Sequence, residues 1–102
     1  MTVYHIVLFK LKPGAKQELI DEFVTTAKAM VNEVPGLTKV DVGPPLPISV
    51  HRGHGFNMAV VGVLEKPEDI AVYAAHPAHQ RAHELREQLC EDSLVYDLEF
   101  PG

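Results

Sequence analysis

Apolar residues alternate along the first strand that the sequence predicts. Residues 3 to 11, VYHIVLFKL, are rich in β-branched and aromatic side chains, the composition of a strand. Period-two counting places five residues on one face: Val3, His5, Val7, Phe9 and Leu11. The opposite face holds three further apolar residues beside Lys10: Tyr4, Ile6 and Leu8. Because both faces are mostly apolar, we expect this strand to be covered on both sides.

Helical spacing replaces the alternation further along the chain. Apolar side chains recur every three or four positions between residues 15 and 34, which predicts an amphipathic helix that Pro35-Gly36 ends. Residues 37 to 43 and 56 to 64 have the composition of two further strands. Between them, residues 43 to 55 contain three prolines and three glycines, the composition of a long loop.

A broken helix and a last strand complete the pattern. Pro67 suits the first turn of a helix over residues 67 to 75. His76 precedes Pro77 and is disfavoured from helical geometry, whereas Pro77 suits the start of a second helix that runs to about residue 90. Residues 93 to 100, SLVYDLEF, predict the final strand.

This element order predicts an α+β fold. Strand, helix, two strands, broken helix and strand suit a ferredoxin-like antiparallel four-stranded sheet with helices on one face. The helices cover only that face, although the first and third strands are apolar on both. A second copy of the chain is the natural cover for the other face, so the sequence predicts a homodimer packed sheet to sheet, a dimeric α/β barrel.

Composition and charge narrow the class of protein. The 102 residues suit a single domain over residues 1–102, and 46% of them are hydrophobic, as in a globular protein. With a net charge of -5 and scattered lysines and arginines, we expect no nucleic-acid or membrane partner. The lone cysteine, Cys90, cannot form an intrachain disulfide, which favours a reducing cytoplasmic location.

The stretch YAAHPAH, residues 73 to 79, carries the candidate chemistry. His79 has a side chain that can take a proton near neutral pH, and Tyr73 has a hydroxyl that can donate a hydrogen bond to a developing oxyanion. The alternative is structural: Tyr73 packs under the helix break with its hydroxyl on a backbone acceptor, while His76 or His79 caps the break. Two histidine pairs, His51/His54 and His79/His83, have metal-compatible spacing but lack a third ligand, so we expect no metal.

With VYHIVLFKLKPG, VPGL, YAAHPAH and VYDLEF in these positions, the chain resembles stress-responsive dimeric α/β-barrel (Dabb) proteins, a family that includes plant polyketide cyclases. The resemblance implies a pocket between sheet and helices in each protomer, without metal or organic cofactor, and assigns Tyr73 and His79 to the cyclase's catalytic positions. The candidate substrate-binding residues are His5, Val7, Phe9, Phe23, Met58 and His76. Where the cyclase has a pocket histidine, tyrosine and tryptophan, this chain has Met58, Ala27 and Cys90, which implies a differently shaped and less polar pocket.

Two functions follow from this resemblance. One is an enzyme, a cofactor-free polyketide cyclase that closes a β-keto thioester by intramolecular aldol-type condensation. The other is a non-catalytic stress protein, a dimer that sequesters a small apolar or polyketide-like ligand. Turnover that depends on His79 separates the first function from the second.

Overall fold

Four antiparallel strands form one sheet in the structure, a computed structural model that describes residues 1–102. The sheet order is β2-β3-β1-β4. The strands, in chain order, are β1 Thr2–Leu11, β2 Leu37–Gly43, β3 Met58–Leu64 and β4 Cys90–Phe100. All three neighbouring pairs are antiparallel, which confirms the predicted ferredoxin-like sheet.

Three α-helices lie against one face of this sheet: α1 Gln17–Ala29, α2 Asp69–Ala75 and α3 Pro77–Leu89. The helix predicted over residues 15 to 34 is shorter than expected, because the chain tightens into a 3-10 turn at Met30–Asn32 before Pro35. None of the helices is long and apolar enough to cross a membrane.

The hydrophobic core lies between the helices and the inner face of the sheet. On β1 the buried residues alternate as the sequence predicts, with Val3, His5, Val7 and Phe9 turned inward. Phe9 is fully buried and meets Phe23 of α1 edge to face, with ring centroids 5.5 Å apart. A cavity lies beside this packed layer and is lined by residues of both the sheet and the helices.

The outer face of the sheet has no helix over it. On β4, Leu94, Tyr96 and Leu98 are exposed, and each lies opposite an apolar residue of β1 on the same face. These partners are Leu8, Ile6 and Tyr4. The outer sides of β1 and β4 therefore form a continuous apolar face, of which the sequence predicts the β1 part.

Candidate functional site

The break between α2 and α3 positions the two candidate catalytic side chains. His76 has an extended backbone conformation, with φ -71° and ψ 138°, and Pro77 is the first residue of α3. The His76 ring accepts a hydrogen bond from the Ala78 N–H through Nδ1 at 3.0 Å, and thereby caps α3. The break between the two helices brings Tyr73, near the end of α2, close to His79, in the first turn of α3. The centroids of the two rings are 4.4 Å apart.

A cavity of about 240 Å³ lies between the inner face of the sheet and the helices. Of its fourteen lining residues, ten are hydrophobic: Val7, Phe23, Ala27, Met30, Val60, Ile70, Tyr73, Ala74, Ala82 and Val95. The other four are basic or titratable: His5, His79, His83 and Arg86. The cavity therefore combines an apolar body with one polar wall, the kind of lining that orients a small molecule.

Five of the eight predicted site residues line this cavity: His5, Val7, Phe23, Tyr73 and His79. The other three, Phe9, Met58 and His76, do not. Phe9 is fully buried in the core, and Met58 packs against that core at the start of β3. The His76 side chain is occupied as the cap of α3, so the structure gives it a role in the helix break.

Tyr73 has a buried ring and an uncommitted hydroxyl. The residue is 5% exposed, yet no protein group forms a hydrogen bond with its Oη, and no fully buried side-chain polar atom lacks a partner. The hydroxyl is therefore accessible rather than sealed in the core, and the backbone acceptor considered in the structural alternative is absent. Burial raises the pKa of Tyr73 to about 12, with a smaller opposing effect of the Arg86 charge. The phenol stays protonated and can donate.

His79 is half-buried on the cavity wall. Its Nδ1 lies 3.2 Å from the Ala74 carbonyl oxygen, which can only accept, so Nδ1 carries the proton and donates. In the neutral ring Nε2 is then the free base. Burial is the main cause that lowers the pKa of His79. The hydrogen bond to the Ala74 carbonyl opposes it in part, and electrostatic interactions with His83, His5 and Arg86 lower the pKa further. The net effect favours the neutral imidazole at physiological pH.

His5 pairs with a carboxylate from the neighbouring strand. The pairing of β1 with β4 places His5 opposite Asp97, and His5 Nδ1 lies 2.5 Å from Asp97 Oδ1. The His5 ring also meets Tyr73 edge-on, with centroids 4.9 Å apart. Asp97 thus fixes the orientation of the imidazole that packs against the candidate donor.

Nine of the fourteen lining residues were not among the predicted site residues, and three of these change the chemistry or the strand composition of the wall: His83, Arg86 and Val95. The sequence marked His83 only through its metal-compatible spacing from His79, and Arg86 was not among the predicted site residues. Val95 and the second-layer Asp97 are on β4, and only the pairing of β4 with β1 brings them to this site. That the pocket is less polar than the cyclase's stays a prediction, and on this wall α3 contributes an imidazole and a guanidinium beside His79.

No group of three or more His, Cys, Asp or Glu side chains is arranged to hold a metal ion. His51 and His54 are in the loop between β2 and β3, and His54 has a positive φ of 53°. Cys90 follows α3 and packs against the core without lining the cavity, and burial raises the pKa of its thiol. The arrangement thus offers proton transfer and hydrogen bonding from Tyr73, His79 and their neighbours.

Comparisons with known proteins agree with this fold. The chain is 27% identical over 97 residues to olivetolic acid cyclase from Cannabis sativa, with 95% of each chain covered. A dimeric ferredoxin-like protein of unknown function from Jannaschia superposes with a TM-score of 0.86 at 25% identity, covering 98% of this chain and 100% of that one. A dimeric ferredoxin-like protein of unknown function from Bacteroides fragilis superposes with a TM-score of 0.80 at 27% identity. The match covers 97% of this chain and 96% of that one.

The family model described as Stress responsive A/B Barrel Domain, Dabb, matches residues 3–100. That range includes all three helices and, apart from Thr2, all four strands. The chain therefore belongs to the Dabb family.

Proposed function

We propose that this chain is a homodimeric, cofactor-free polyketide cyclase that closes a short β-keto thioester by intramolecular aldol-type condensation. One observation carries the proposal: the unpartnered Tyr73 hydroxyl and the neutral His79 ring stand side by side on the wall of a mostly apolar cavity. The similarity to olivetolic acid cyclase across 95% of the chain supports the same class of reaction.

In the proposed reaction, His79 Nε2 takes a proton from the carbon between two carbonyl groups of the substrate. The electron pair left on that carbon attacks a second carbonyl carbon of the same molecule, and a carbon–carbon bond forms while the carbonyl π electrons move to oxygen. Tyr73 Oη donates a hydrogen bond to this oxyanion. The proton on His79 then passes to the oxyanion, so the product is a cyclic β-hydroxy ketone with the same atoms as the substrate.

The neighbours of the pair favour these roles. Because the pKa of Tyr73 is raised to about 12, the phenol remains a donor over the whole physiological range. The His79 pKa is lowered, chiefly by burial, which keeps Nε2 unprotonated at neutral pH. His5, held by Asp97, packs against the Tyr73 ring and limits where its hydroxyl can point.

The size of the cavity limits the substrate. A dry apolar cavity of about 150 Å³ holds benzene. The cavity of about 240 Å³ therefore suits a compact chain little larger than one ring. Ala27, where the cyclase has a tyrosine, widens the cavity on the side of α1.

The homodimer and its location are part of this proposal. Two solved structures with this fold are described as dimeric, which supports assembly through the apolar outer face of the sheet. The lone cysteine supports a cytoplasmic location, since no intrachain disulfide is possible.

The test is conversion of short linear triketide and tetraketide thioesters, followed by liquid chromatography and mass spectrometry. We expect cyclisation by the wild-type protein, a loss of about a hundredfold or more in His79→Phe, and a smaller loss in Tyr73→Phe. Arg81→Gln serves as the matched control, because Arg81 is on α3 but pairs with Glu33 outside the cavity. Equal conversion by wild type and both site variants would contradict the proposal.

The alternative function is a stress protein that sequesters an apolar ligand without converting it. The observation that favours it is that His76 and His79 both bond backbone atoms at the helix break, at Ala78 N and Ala74 O. In that case the cavity would bind a ligand saturably, and His79→Phe would keep the affinity while no product formed in any variant.

A further inference from the structure

Arg86 is a half-buried cation on the cavity wall without a counter-ion. It lies on α3 two turns after His79, and its charge lowers the pKa of both His79 and Tyr73, so the guanidinium acts on the same space as the candidate catalytic pair. No carboxylate lies within 4.0 Å of it, since none of the ion pairs in the structure includes Arg86.

Two acidic groups on the elements that carry this wall are already engaged. Asp97, on the β4 side of the cavity, bonds His5, and Glu87, on α3, bonds His83 Nε2 at 3.2 Å. A guanidinium in an apolar cavity is costly to desolvate unless an acceptor meets it. The protein supplies only neutral partners, the His83 ring and the Cys90 thiol, so the charge stays available for a ligand.

His83 holds the Arg86 side chain in place. Arg86 donates a hydrogen bond from an Nη atom to His83 Nδ1 at 2.9 Å. Because Nδ1 accepts, the ring proton is on Nε2, which donates to Glu87 Oε1. The bond from Nε2 to Glu87 fixes the His83 imidazole, and the fixed imidazole in turn holds the guanidinium. The bond to His83 uses one of the five N–H donors of Arg86, so other donors can bind a planar anion.

We propose that Arg86 binds the carboxylate of a small free keto acid whose apolar body fills the rest of the cavity. A carboxylate matches the paired donors of a guanidinium better than a neutral carbonyl does. The apolar body would lie against Val7, Phe23 and Met30, across the cavity's hydrophobic lining. This inference rests on the proposed function, because it takes the cavity as the substrate site, and it adds the free acid of the same chain to the substrates that the cavity accepts.

The test compares two probes that differ only in charge, phenylacetate and its methyl ester. Binding is measured by calorimetric titration, and shifts of the Val7 and Val60 methyl signals show that each probe enters the cavity. We expect the wild-type protein to bind the acid about ten- to a hundredfold more tightly than the ester, the usual value of a hydrogen-bonded charge pair.

Substitutions of Arg86 complete the test. Arg86→Gln should lose that preference and leave the ester affinity unchanged, whereas Arg86→Lys should keep part of it, because lysine retains the charge without the planar fork. Arg81→Gln, outside the cavity on the same helix, should bind both probes as the wild type does. A thermal melt of each variant confirms folding, and the Lys variant remains informative if the Gln variant unfolds.

Equal affinity of the acid and the ester for the wild type would overturn the inference, and so would an unchanged acid affinity in Arg86→Gln. Absence of binding by either probe would overturn it too. The proposed reaction is decided separately by turnover in His79→Phe, so a cavity that prefers thioesters and converts them would refute the free acid while leaving the cyclase in place.

Discussion

At the scale of single residues, His79 links the chemistry of the site to the stability of the fold. It is half-buried, surrounded by His5, His83 and Arg86, and its pKa lies below the ordinary value of 6.5, chiefly because of burial. As the pH falls through about 6.5, the unfolded chain takes up a proton at this position before the folded chain does. The free energy of unfolding therefore decreases until the pH is below the folded pKa.

We expect this decrease to vanish in His79→Gln. Measured by urea unfolding at several values between about pH 8 and about pH 5, the wild type should lose stability relative to the variant as the pH falls. Gln80→Ala is the matched control, because Gln80 donates to the same Ala74 carbonyl but does not titrate. A difference between wild type and His79→Gln that stays constant with pH would contradict the lowered pKa.

The site residues were predictable in unequal measure. Tyr73 and His79 are six positions apart in the sequence and meet across a helix break that Pro77 predicts, so the local pattern was enough to pair them. Asp97 reaches His5 from 92 residues away. No local spacing encodes that contact, because it depends on the register between β1 and β4.

At the scale of elements, the break between α2 and α3 depends on one cap. His76 is an unusual N-cap, since serine, threonine, aspartate and asparagine are preferred there. Its imidazole satisfies the Ala78 N–H, one of the donors that the first turn of a helix leaves free, while Pro77 has no N–H to satisfy.

His76→Ala should therefore lower the free energy of unfolding by about 1 kcal/mol, as removal of other N-caps does. His76→Asn should recover most of this loss, because the asparagine oxygen accepts from the same N–H. Chemical denaturation measures both. If alanine cost nothing, or asparagine cost as much as alanine, the cap would not stabilise α3.

The limits of β1 and β2 were predictable from the sequence, whereas the start of β4 was not. β1 and β2 follow their apolar pattern closely, because burial selects those side chains directly. β4 begins at Cys90, earlier than the predicted residue 93, because pairing with β1 extends it through the polar Glu91 and Asp92. Hydrogen bonding to a neighbouring strand leaves no hydrophobic signal in such residues.

At the scale of the whole molecule, the exposed apolar outer face of the sheet predicts that two copies of the chain pack together through it. Leu94, Tyr96 and Leu98 together with their β1 neighbours make an apolar surface that a protein exposed to water normally covers. A Tyr96→Glu variant would place a charge in the middle of that surface. Val72→Glu makes the same kind of change on α2, away from the sheet, and is the matched control.

The central claim is that a dimer of this chain binds a small molecule in the cavity beside Tyr73 and His79. The most direct test is native mass spectrometry of the protein, purified gently from its own host. We expect a dimer with the same small added mass on each protomer, no added mass in His79→Ala, a monomer for Tyr96→Glu and a dimer for Val72→Glu. A wild-type monomer, an empty wild-type dimer, or an added mass that persists in His79→Ala would contradict the account.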